Sequence, residues 1–193
     1  MAGAERKAPM NGARRRKPAL IAVDGVDATA VLAEARAALG TPGRGGISRW
    51  DASGVFQDLA VADAEAGAPS ARTLLLLYAA DLAFRLRWEI RPALAEGRAV
   101  IAAPYVETAI ALGRSVGLKA GWLTALFRFA PRPAERRFVH PRHTRALTVK
   151  DGFVGFACDR MVIGPGIRTR RQITERTVAH LRRSAQRARR VRS

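Results

Sequence analysis

The sequence predicts an α/β fold with a mostly parallel sheet flanked by helices, and three observations carry that prediction. The runs Ala19–Val23 (ALIAV) and Arg98–Ala103 (RAVIAA) are short and continuously apolar, as strands buried on both faces are. Each leads within a few residues into a stretch of helical composition, 29–39 and 105–116. The 193 residues are 48% hydrophobic, which suits one domain with a sizeable core and is short for two.

Taken in order, Ala19–Val23 is the first strand, Asp24-Gly25-Val26-Asp27 a turn, and Thr29–Leu39 a helix. Asp27 or Thr29 can cap that helix and Gly40 ends it. Residues 40–54 hold six residues of Gly or Pro, so they read as a loop around one short strand near Ile47. Val55–Glu65 is helical, and Gly67-Ala68-Pro69-Ser70 breaks it. Ala71–Glu96 is the longest helical stretch, apolar on most sides at its start, with Pro92 kinking or restarting it and Gly97 stopping it. After the strand at 98–103 come helices over Tyr105–Val116 and Lys119–Phe129, then a Pro-rich turn and a short strand at Phe138-Val139. Leu147–Phe156 reads as a hairpin around Asp151-Gly152, and Arg160–Ile163 as a last strand. In the C-terminal segment Ile173, Thr177, Leu181, Ala185 and Ala188 follow helical spacing, while Arg176, Arg183, Arg187 and Arg190 line another face.

The formal net charge is +18, and it is concentrated at the ends. Residues 1–18 carry +5 without a helical or strand period and read as a disordered basic arm. Residues 168–193 carry +9, all of the basic side chains being arginine, with 191–193 a frayed basic end. The body between them, 19–167, carries +4. Such tails bind nucleic acid or an anionic lipid surface through phosphate contacts, or else form a solvated face; no aromatic residue interleaves the C-terminal arginines to stack bases. No apolar run reaches the roughly 18 residues of a membrane span. The basic start is followed by too short an apolar run for a signal peptide, so the expected location is cytoplasmic. A single cysteine, Cys158, excludes an internal disulfide and a cysteine zinc site, and His140-Pro-Arg-His143 with Cys158 is too sparse a set for a metal.

The chemistry to test in such a fold is phosphate binding by the turn after the first strand. The working motif is Gly-x4-Gly-Lys-Ser/Thr, in which backbone N–H groups cradle phosphate, Lys neutralises charge and the hydroxyl holds Mg²⁺. The aligned stretch here, Gly25 to Leu32, keeps the first glycine but has Ala30, Val31 and Leu32 in place of the second glycine, the lysine and the hydroxyl.

The surroundings of that stretch are more informative. VDGVDATA and its Ala/Leu helix, followed by LLLLYAADLAFRLRWEIRPALAEGRAVIAAPYVETAIAL, resemble the thymidylate kinase family. That family opens on an acidic residue-Gly-x-Asp-Gly-Ser-Gly-Lys-Ser/Thr, continues with a long helix bearing Phe-x-x-Asp-Arg and ending Ile-x-Pro-Ala-Leu, and then has a strand entering Asp-Arg-Tyr. The resemblance is densest over 71–112 and extends over most of 19–183. It implies a three-layer P-loop NTPase-like fold for 19–190.

Residue by residue, it implies that Asp24, Gly25, Asp27 and Thr29 form a vestigial nucleotide-binding loop. Arg49, Tyr78 and Tyr105 become the nucleotide-pocket candidates, with Tyr78 at the position of the aromatic residue that stacks on thymine. The departures are extensive. Leu82 replaces the phosphate-gripping arginine, Ala103-Pro104-Tyr105 replaces Asp-Arg-Tyr, and the stretch from Leu147 to Arg160 leaves little room for the family's arginine-bearing lid. Phosphoryl transfer rests on positioning and charge neutralisation, so the expectation is a pseudokinase with no catalytic residue, no metal ligand and at most weak nucleotide binding. ATP and Mg²⁺ are its cofactors only if activity survives. The family's homodimer is an expected partnership, through the apolar surface of 71–90. Two alternatives stand beside this reading: an active dTMP-type kinase with an unorthodox loop, and a binder of nucleic acid or anionic surfaces through the tails.

Overall fold

Leu20–Asp24 (β1) is buried along its whole length because it lies in the interior of a four-stranded parallel sheet. The computed structural model describes residues 18–40, 45–61, 67–140, 152–161 and 169–190. The strands Leu20–Asp24 (β1), Gly45–Arg49 (β2), Ala99–Ala103 (β3) and Glu135–Phe138 (β4) run in the order β2-β3-β1-β4. Leu20 pairs with Val100 and Ile21 with Ile101, while Asp24 reaches Phe138 on the other side.

The helices are Ala28–Leu39 (α1), Val55–Val61 (α2), Ala71–Arg85 (α3), Arg91–Ala95 (α4), Val106–Ser115 (α5), Ala120–Leu126 (α6), Phe153–Arg160 (α7) and Arg170–Arg190 (α8). One π-helical turn, Leu86–Ile90, joins α3 to α4. It is the structural answer to Pro92, which has no N–H to give to the Trp88 carbonyl; the chain widens so that the Arg91 N–H bonds the Leu86 carbonyl instead.

Alternate residues of the inner strands feed two apolar clusters. Leu20, Ala22, Val100 and Ala102 face the larger one, packed by α3, α5, α6, α7 and α8. Ile21, Val23, Ile101 and Ala103 face the smaller one, which among the described residues is covered by Val31, Ala35 and Ala38 of α1. α8 docks against α5 through Ile173, Thr177 and Leu181, where the Thr177 hydroxyl donates to Ser115 Oγ at 3.0 Å.

Three expectations are corrected here. Phe153–Phe156 is not the second arm of a hairpin: it opens α7, since Phe153, Val154, Ala157 and Cys158 bury one face at helical spacing after Gly152, whose φ is +110°. Arg160 is the last residue of α7 rather than the first of a strand, and 162–163 lie outside the described residues. The fourth strand also begins earlier than Phe138, because an edge strand needs only one neighbour and tolerates the polar Glu135-Arg136-Arg137. Residues 1–17 of the basic arm, Leu147–Asp151 and 191–193 lie outside the described residues. Among those residues no helix is long and apolar enough to cross a membrane.

Candidate functional site

The carboxyl ends of β1, β2 and β3 open into a cleft of about 490 Å³. Its place follows from the topology: β1 sends its helix to one face of the sheet and β3 to the other, which leaves a crevice between their ends. Thr29 and Leu32 of α1 line it, with Arg49 and Asp51 after β2, Pro104 after β3 and Phe156 of α7. Arg49 is exposed there and, among the described residues, is the one cationic side chain in the lining, with Asp51 the one carboxylate.

The turn 25–27 is shorter than a phosphate cradle needs. α1 begins at Ala28, and the Asp27 carboxylate caps it by accepting from the Ala30 N–H at 3.0 Å. The positive end of the helix dipole, where a phosphate would sit, therefore already carries an anion of the chain's own. Val31 is inside the helix, only 3% exposed, and packed so closely under the turn that a Cβ on Gly25 would lie 2.7 Å from its Cγ2. Gly25 is kept by this close approach, with Val139 at 3.1 Å on its other side. Thr29 is exposed at the cleft mouth, while Leu32 is half-buried along the wall.

Asp24 does not cap the helix that follows it. Its Oδ1 accepts from the Tyr105 N–H (3.0 Å), the Thr108 N–H (2.9 Å) and the Thr108 hydroxyl (2.7 Å), so it caps α5 across the sheet. Its Oδ2 is buried with no hydrogen-bond partner. Burial pushes the carboxyl up to about 6, against the three donors that favour its ionised form. A proton on Oδ2 costs none of the Oδ1 bonds, which makes the protonated form unusually compatible with this geometry.

Two charged residues that sequence reasoning passed over hold the β2 side of the cleft. Asp81 and Arg85 are fully buried, one turn apart on α3. Asp81 accepts from the Ser53 N–H and hydroxyl, both at 2.9 Å, and from the Asp51 N–H at 3.3 Å. Arg85 donates to the Ser48 hydroxyl and carbonyl at 2.9 Å and to the Pro104 carbonyl at 3.0 Å, fastening the end of β2 to the end of β3. Asp51, held at φ +62°, in turn caps α2 through the Phe56 and Gln57 N–H groups. The signal was present in the sequence as an i,i+4 acid–base pair in an otherwise apolar helix face.

Tyr78 and Tyr105 lie in the core and do not line the cleft. The Tyr78 hydroxyl donates to the Tyr105 carbonyl at 2.7 Å, and the Tyr105 hydroxyl to the Pro131 carbonyl at 2.8 Å. Burial drives both phenols above their ordinary range, so they remain neutral donors. Phe153 packs 4.3 Å from the Tyr78 ring and belongs to an aromatic cluster with Trp50, Phe56 and Phe156. The structure thus brings Asp24, Gly25, Asp27 and Thr29 together, sets Arg49 across the cleft from Thr29, and separates both tyrosines from them.

No protein-family model matches the chain. The solved thymidylate kinase of Ehrlichia chaffeensis superposes on 75% of this chain and 89% of its own, with a TM-score of 0.56 and 17% identity. The fold is thymidylate-kinase-like. A stretch of 58 residues is also 43% identical to a probable thymidylate kinase of Pyrococcus horikoshii; it spans 30% of this chain but only 28% of that relative's length. Within this thymidylate-kinase-like frame the cleft occupies the region between the first turn and the ends of β2 and β3, and its lining has small or apolar residues at Ala28, Val31 and Leu32.

Proposed function

We propose that the chain is a thymidylate-kinase-fold protein that does not transfer phosphate, a pseudokinase whose cleft binds nucleotides weakly at most. One observation carries this reading: Val31, in the place of the loop lysine, is an interior residue of α1 packed against Gly25, while Asp27 occupies the helix N-terminus. A donor triphosphate and an acceptor monophosphate bring several negative charges to one place, and their transfer depends on cations arranged around them. Among the described lining residues Arg49 and Asp51 are the charged side chains, and their charges offset. The tight packing of Phe153 on Tyr78 supports the same reading on the acceptor side.

The test is ATP-dependent phosphorylation of dTMP in the presence of Mg²⁺, with a chelated control. We expect no product above the control, and millimolar dTMP or ATP should leave the melting temperature unchanged, because a ligand stabilises a fold only by binding it. Turnover that chelation abolishes would overturn the reading in favour of an active kinase with an unorthodox loop.

The same reading includes a homodimer. Leu76, Phe84 and Trp88 are exposed on the α3 side at spacings of eight and four residues, the kind of apolar row a second copy would cover. Sedimentation of the chain and of Trp88→Glu tests it: the variant should shift toward monomer.

A further inference from the structure

Helix α8 carries a different kind of surface. Its apolar face is taken up by α5, which leaves the arginines on the outside. Arg176, Arg183, Arg187 and Arg190 follow one another at spacings of seven, four and three residues, so they share one flank over about 21 Å of helix. Arg114 of α5 lies on the same side: it, Arg176 and Arg183 all stand near enough to His180 to oppose its protonation, and burial acts in the same direction. Arg183 donates to His180 Nδ1 at 3.0 Å, which requires that nitrogen to be unprotonated. Arg176 and Arg187 have no ion pair among the described residues. The carboxylate on this helix, Glu175, is already held by Arg171 at 2.8 Å. Like charges at this spacing repel.

We propose that this flank of α8, centred on Arg176, Arg183 and Arg187 with Arg114 beside it, binds the phosphodiester backbone of a nucleic-acid duplex without reading its sequence. Three features select that partner. The cations are all arginine, whose planar fork matches phosphate oxygens two at a time. Arg176 to Arg187 span about 16 Å of helix, enough to reach phosphates on both sides of a major groove about 12 Å wide. Residues 170–190 contain no Phe, Tyr or Trp, so the large rings that hold single strands by stacking are missing. A lipid surface is the poorer match, because a helix that lies in a membrane interface inserts its apolar face, and here Ile173, Thr177 and Leu181 are buried against the body of the protein.

The test uses the full chain and a fluorescent 20-base-pair duplex, followed by anisotropy at several salt concentrations. The expected affinity falls steeply with salt, with a log–log slope of about −3 or steeper, and is unchanged when the base sequence is scrambled. The triple variant R176Q/R183Q/R187Q should bind at least tenfold more weakly at about 100 mM salt and lower the slope by about 2 to 3, with an unchanged circular dichroism melt. R176K/R183K/R187K keeps the charge without the fork and should fall between the two. Flat salt dependence of the wild-type chain overturns the proposal. So does tighter binding to phosphatidylserine vesicles than to the duplex. So does loss of duplex binding in R14Q/R15Q/R16Q while the helix variant binds normally, since that would place the activity in the basic arm. None of these outcomes bears on dTMP phosphorylation, so this inference and the pseudokinase reading fail separately.

Discussion

The cleft at the end of the sheet and the outer flank of α8 treat arginine in opposite ways. In the cleft Arg49 faces solvent beside Asp51, and the nearby Arg85 is turned inward to hold Ser48 and Pro104. On α8 the arginines at 176, 183 and 187 stand exposed along one flank. The comparison teaches that abundance of a cation says little about phosphate chemistry. Phosphoryl transfer depends on cations held at backbone-defined points, and on the pseudokinase reading proposed above the early start of α1 removes one such point whatever the net charge. Binding a polyanion needs only a row of cations on a firm element, which α8 supplies.

The largest effect expected from this contrast is in the buried pair. Arg85→Ala leaves the Asp81 carboxylate buried without its partner and should cost about 3–5 kcal/mol by chemical denaturation. A loss below about 1 kcal/mol would mean that the β2 side of the cleft does not depend on it.

Next comes the pH dependence set by Asp24. The folded carboxyl holds its proton up to about pH 6, whereas in an unfolded chain it is lost near 3.8. Between those values the native state binds the extra proton, so stability falls as pH rises through the window, by roughly 3 kcal/mol, and is level above it. Asp24→Asn keeps the Oδ1 acceptor and should lack this slope; parallel wild-type and variant curves from pH 4 to 7 would refute it.

Gly25→Ala comes third. Its methyl group meets Val31 at 2.7 Å and should cost about 1–3 kcal/mol, with Val31→Ala in the same chain recovering part of the loss in a double-mutant cycle. The smallest effect separates the two regions most sharply. R176Q/R183Q/R187Q removes three arginines from the exposed flank and should change stability by only about 0.5 kcal/mol or less per site, while one arginine removed from beneath the cleft unfolds a large part of the margin.

β1, β3, α5 and α8 were legible because they bury apolar residues at the period of their own structure: continuously in the two strands, every three or four residues in the two helices. A cap for α1 at Asp27 or Thr29 and its end at Gly40 were legible from local chemistry, and the structure selects Asp27. The misreading of Phe153–Phe156 has a definite cause. Asp-Gly before an apolar run is the mark of a tight hairpin, and only the tertiary packing of Phe153 on Tyr78 and Phe156 on Trp50 shows why the run is helical. Of the cleft, the missing lysine and hydroxyl could be read from Val31 and Leu32. What could not be read is where the side chains point. Asp24 turns to α5 instead of α1, Tyr78 and Tyr105 turn into the core, and Arg85 reaches across two strands. Those are long-range contacts, invisible to any local period.

The two faces of the sheet also differ in how firmly they are clothed. Among the described residues the larger cluster is closed by the seven helices α2 to α8, whereas the smaller is closed by α1 alone, through Val31, two alanines and the half-buried Leu39. Native-state amide exchange should therefore show α1 opening well below the free energy of global unfolding, while the middle of α5, tied to β1 through Asp24 and covered by α8, exchanges only when the whole domain opens. The turn that serves as a rigid nucleotide cradle in an active kinase would then be carried, in this protein, on the layer that lifts away first.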